Sequence, residues 1–104
     1  MEQRTIDEGK TIAIIAYITL IGTLIAWFMN KDKNNEFAKF HIGQAVRAWL
    51  AGIVISIIAS ILVMVTGVEI LSYLTYAGWV LAILGLLNAV NGKMEKIPLV
   101  GDIG

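Results

Sequence analysis

The chain has 104 residues, 58% hydrophobic and only 15% charged, with a mean hydropathy of +0.78 and zero net charge. A soluble domain ordinarily carries about 45–50% apolar and about 25% charged residues, so this composition points to lipid as the solvent. It holds no cysteine, which excludes disulfides, thiolate catalysis and Cys-based metal centres, and its balanced charge gives no sign of a nucleic-acid partner.

A polar segment, "MEQRTIDEGK" (1–10), precedes the first charge-free stretch, Thr11–Asn30. Two more such stretches follow, Ala48–Val68 and Ile70–Gly92. Each matches the ~20 residues needed to cross a ~30 Å hydrocarbon core as a helix. The first is longer than the ~7–15 residues of a secretory h-region and no small-residue cleavage site closes it, so it reads as a retained helix. The prediction is an all-α, polytopic membrane protein. It forms a single domain over 1–104 with three transmembrane helices, at about 11–30, 46–67 and 69–91. Between the first two lies a polar linker (31–45) whose Phe37 begins an interfacial helix start; Gly67 makes a short turn into the third helix. Asn91-Gly92 stops that helix, and the tail 92–104, with Pro98, is irregular.

Three crossings put the linker and tail on one side and the N-terminus on the other. Lysine and arginine then divide six (Lys31, Lys33, Lys39, Arg47, Lys93, Lys96) against two (Arg4, Lys10). The positive-inside rule accordingly places the linker and C-terminus in the cytoplasm, the N-terminus outside, and the protein in the inner (plasma) membrane.

Helices in lipid associate where small residues allow close approach. The first helix offers Ala16, Thr19, Thr23 and Ala26; the second offers Ala48, Gly52, Ser56 and Ser60; the third offers Thr75, Gly78, Ala82, Gly85 and Ala89. A tight three-helix bundle follows, with the four-spaced ladder through Gly52 and Ser56 as the best seam for contacts outside the subunit. The aromatic residues Tyr17, Tyr73, Tyr76, Trp27, Trp49 and Trp79 include some placed for interfacial belts, whereas Trp79 lies deeper and packs.

"FAKFHIGQA" (37–45) carries the only histidine. At about 100° per residue Phe37, Phe40, His41 and Gln44 share one helix face, continued by Ala48 and Gly52. The polar pair is therefore aimed at protein. One reading is a clamp, in which imidazole and amide bond backbone groups at the end of the first helix or in the tail. The sharper reading is a site for an ion, proton or substrate group.

No HExxH, GxSxG or phosphate-cradling loop occurs, and His41 has no companion ligands at metal-binding spacing, so neither catalytic residues, a metal nor a cofactor is predicted. The expected partners are the lipid bilayer and either other membrane subunits or further copies of the chain. Two roles fit a non-enzymatic membrane protein of this kind. One is an accessory or structural subunit of a membrane complex; the other is a small homo-oligomeric transporter or channel. The absence of a mid-membrane charge favours the first.

Two blocks, "NKDKNNEFAKFHIGQA" and "NAVNGKMEKIPLVG", resemble the small bacterial relatives of the Tic-type chloroplast inner-envelope import component. The likeness runs through Phe37, Phe40, His41, Gln44 and Ala45, then through Ala89 and the tail residues Gly92, Pro98 and Gly101. It implies a multi-pass helical protein and a role related to protein translocation or insertion.

Overall fold

The first apolar run does not form one helix. In the computed structural model, which describes residues 2–103, it divides at Thr19 into α1 (Gln3–Ile18) and α2 (Leu20–Lys33). Met1 and Gly104, the outermost residues of the polar N-terminal segment and of the tail, lie outside the described residues. Thr19 is extended (φ −154°, ψ 173°), and its hydroxyl oxygen accepts from the Gly22 amide at 3.0 Å, so it ends one helix and caps the next. Thr23 then donates its hydroxyl to the Ala16 carbonyl at 2.6 Å, tying the two helices across the turn. The chain can reverse this tightly because a Cβ on Gly22 would lie 2.4 Å from the Ile15 carbonyl oxygen, a place only hydrogen fills. At the open end Asn35 donates to the Thr5 carbonyl. α1 and α2 are therefore an antiparallel hairpin whose two ends emerge together.

Asn35 also starts α3 (Glu36–Thr66), its side-chain oxygen accepting from the Ala38 amide. Glu36 in the first turn suits the positive end of the helix dipole. The helix stops at Gly67, which takes a left-handed conformation (φ 72°) that favours glycine. A 3-10 helix (Glu69–Tyr76) then leads directly into α4 (Ala77–Val90), which returns antiparallel to α3. No strand occurs among the described residues.

Among the described residues two elements are long and apolar enough to cross a membrane, Glu36–Thr66 and the combined Glu69–Val90. The expectation of three crossings is corrected here. α1 and α2 have 16 and 14 residues, about 24 and 21 Å at ~1.5 Å per residue, short of a ~30 Å core. An unbroken lack of charge reads as an unbroken helix, but the Thr19 cap divides the run without introducing any charge. The separation of the N-terminus from the linker depended on that third crossing and falls with it, because Thr5 and Asn35 are bonded to each other.

The core sits at the hairpin end of the molecule. There Ile12, Ala13, Ala16 and Tyr17 of α1 pack against Phe37, Ala45 and Ala48 of α3, Ala82 and Ala89 of α4, and Ile97 of the tail. The 3-10 helix packs against α3 and α4 alone. The far half is thin, and no residue of the 3-10 helix is buried.

Candidate functional site

His41 lies at the centre of the core, fully enclosed. Its Nδ1 is 2.6 Å from the Tyr17 hydroxyl of α1, and its Nε2 is 2.6 Å from the Lys93 carbonyl just after α4. A carbonyl can only accept, so Nε2 carries the proton and donates to Lys93 while Nδ1 accepts from the tyrosine. The neutral ring satisfies both contacts. Phe37, Phe40 and Tyr17 meet it edge-on, at ring-centroid distances of 4.7, 5.0 and 5.5 Å. Phe37 is buried within the protein, whereas Phe40 is only partly covered.

One turn further along α3, Gln44 is also buried. Its amide nitrogen donates to the Gly101 carbonyl at 3.1 Å, and its oxygen accepts from the Ile97 amide at 2.9 Å. Both ends of the amide are used by one loop of the tail. That loop is itself tight: Gly101 donates its amide to the Ile97 carbonyl, and a Cβ on Gly101 would lie 2.7 Å from the Gln44 oxygen. Pro98, at the apex, is exposed, and Gly92 takes a left-handed conformation (φ 69°) at the exit from α4. At the rim, Arg47 donates to the Ile103 carbonyl.

Small residues set the distances between helices. A Cβ on Gly52 would stand 2.4 Å from the Cα of Gly78, so α3 and α4 cross backbone to backbone at this pair. Gly85 makes room for the Tyr17 ring, whose edge would lie 2.2 Å from an added Cβ; this opening lets a tyrosine of α1 reach His41. Ala82 is buried on the same stripe. Ser56 is only half-buried and donates to the Thr75 carbonyl of the 3-10 helix. The ladder is thus spent inside the subunit at Gly52 and Ser56, while Ser60 is exposed and bonds back to the Ser56 carbonyl of its own helix.

Three polar residues that matter here were not singled out in the sequence. Tyr17 reads as an interfacial aromatic because nothing local reveals the space opened by Gly85. Asn30 and Asn35 read as linker, yet Asn30 bonds both the amide and the carbonyl of Asn35. The available signal was Asn35 immediately before Glu36, the pattern of a helix N-cap. Among the described residues no group of three His, Cys, Asp or Glu side chains is placed to hold a metal ion.

Chemically, the arrangement joins α1, α3, α4 and the tail through one buried imidazole and one buried amide. No curated protein and no solved structure matches the chain. A family profile does, over residues 8–103, and it is not that of the Tic-type import components. The resemblance drawn from the two sequence blocks is corrected accordingly, and the translocation role goes with it. Of the residues that carried the likeness, Phe37, His41, Gln44, Ala45, Ala89 and Gly101 are buried, and burial in a core is not evidence of import. The profile covers nearly the whole chain, which therefore belongs to the MamF/MmsF family, the magnetosome magnetite crystal formation proteins.

Proposed function

We propose that this protein is a non-enzymatic, membrane-embedded structural or accessory component that supports magnetite crystal formation at the magnetosome membrane. Family membership supplies the process. The observation that carries the structural role is the full occupancy of the polar centre: both ring nitrogens of His41 and both ends of the Gln44 amide are engaged by Tyr17, Lys93, Ile97 and Gly101. A site that works on an ion or substrate needs a polar group left for it, and these two are consumed in holding the tail to the helices. His41 and Gln44 act as a clamp.

The same geometry supports an orientation. With the hairpin closed, all eight lysines and arginines (Arg4, Lys10, Lys31, Lys33, Lys39, Arg47, Lys93, Lys96) belong to the hairpin end, and none to the Gly67 turn. By the positive-inside rule that end faces the cytoplasm, with the start of α1 and the tail loop.

The test is complementation in a magnetite-forming bacterium whose own family member has been deleted. The wild-type chain sediments with magnetosome membranes and restores crystal size by electron microscopy. His41→Asn, which keeps a hydrogen-bonding group but does not titrate, restores it too. Normal membrane levels of the wild-type chain with crystals unchanged from the deletion strain would refute the role in crystal formation. Normal levels of His41→Asn without rescue would refute the clamp.

A further inference from the structure

We infer that the protein is a one-leaflet wedge: the α1–α2 hairpin displaces acyl chains in the leaflet at the basic end alone, and the bilayer bends convex toward that end. The inference rests on membrane insertion and is independent of the role in crystal formation.

Depth is the first observation. Lys10 bounds the apolar part of α1 and Lys31 that of α2, leaving 11–18 and 20–30 between them. These are about 12 and 16 Å of helix at ~1.5 Å per residue, against a half-thickness of about 15 Å for a ~30 Å core. Four lysines gather at the open end of the hairpin. Lys10 Nζ is 4.0 Å from where a Cβ on Gly92 would sit, the Lys93 carbonyl meets His41, and Lys31 and Lys39 line one cavity with Trp27. Lys31 stands over the Trp27 ring at 5.8 Å, a pairing suited to the headgroup boundary. From there the hairpin passes the contact of Tyr17 with Gly85 and turns back at Thr19.

Asymmetry is the second. The outer face of α2 exposes Ile21, Leu24 and Phe28, at 71%, 56% and 58%. Water is an unfavourable solvent for that face, and the lysine cluster beside it fits lipid headgroups, so its occupant is acyl chain. In the other leaflet the 3-10 helix touches only α3 and α4. Four helices thus occupy one leaflet and two occupy the other, and unequal cross-sections relax by bending. With the basic end toward the cytoplasm, the bulge points into the cytoplasm.

The test uses the full chain, which has no native cysteine, carrying Lys33→Cys at the exposed end of α2. It is reconstituted into phosphatidylcholine–phosphatidylglycerol vesicles of graded diameter and labelled from outside with an impermeant thiol reagent. The wedge predicts that the ratio of externally labelled to protected protein, and the protein per lipid in the labelled orientation, rise severalfold as diameter falls. A ratio independent of diameter overturns the proposal. In parallel, a fluorophore on Leu20→Cys is quenched best by lipids carrying a quencher near the bilayer midplane; strongest quenching at headgroup level overturns it as well. Ile21→Lys, which places a charge near the tip, should abolish the size dependence. If it does not fold, the wild-type size series and the Leu20 depth decide alone.

Discussion

Asn35 donates its side-chain amide to the Thr5 carbonyl at 2.9 Å, across thirty positions of chain, and that bond closes the mouth of the helical hairpin. The same side chain caps α3 through its oxygen. Asn35→Ala should lower stability by about 1–2 kcal/mol through the lost cap alone. Asn35→Asp separates the two roles, because a carboxylate caps but cannot donate to Thr5. Thermal unfolding in detergent, followed by circular dichroism, should rank wild type above Asp and Asp above Ala; equal stability of wild type and Asp would show that the Thr5 bond contributes nothing.

The closed hairpin predicts the topology. Single cysteines at Gln3 and Lys33 should react alike with an impermeant thiol reagent, and oppositely to one at Val68 beside the Gly67 turn. In intact cells Val68→Cys labels and the other two do not until the cells are opened. Opposite behaviour of Gln3 and Lys33 would restore a third crossing.

Tyr17 and His41 form a pair suited to a double-mutant cycle. Hydrogen bonds within membranes average ~0.6 kcal/mol and reach at most ~1.7. Tyr17→Phe should cost about that much, and His41→Phe more, since it also strips the Lys93 carbonyl of its donor. The double variant should cost less than the sum, by the coupling of the pair. Additive losses would place the Tyr17 hydroxyl outside the network.

The two glycine contacts differ in what can yield. An alanine at Gly52 meets the Gly78 backbone, so the helices themselves must part; one at Gly85 meets the Tyr17 ring. Both should destabilise by roughly 1–3 kcal/mol, as overpacking does. Removing the ring should relieve only the second, so that Gly85→Ala costs less in a Tyr17→Ala background, whereas Gly52→Ala costs the same in either. Unfolding midpoints of the three single and two double variants, beside wild type, decide this.

How much of this could be read in the sequence differs from one residue to the next. Helical character and the two long crossings follow from the charge-free runs, because hydrocarbon admits no unpaired backbone and so leaves α-helix as the local solution. The burial of Phe37, His41 and Gln44 on one face follows from helical periodicity. The break at Thr19 does not. A threonine in a greasy run is compatible with a continuous helix, and only Gly22 lying against Ile15 makes the reversal sterically open. Nor could the sequence assign Tyr17 to His41, since their meeting depends on a vacancy at Gly85, far along the chain. The block resemblance misled for a related reason: residues that close a core say how a chain packs before they say what it does.

The order in which the chain leaves the ribosome gives the tail clamp a further meaning. When α3 is complete, His41 and Gln44 already lie within it, but Lys93, Ile97 and Gly101 have yet to be made. Until they arrive, an imidazole and an amide stand exposed to lipid or to an open core, where an unpaired polar group costs several kcal/mol. Closure of the core therefore waits on the segment from Lys93 to Gly101, made after every helix. A nascent chain that stalls before residue 101 keeps its crossings but leaves the Gln44 amide without its Gly101 partner.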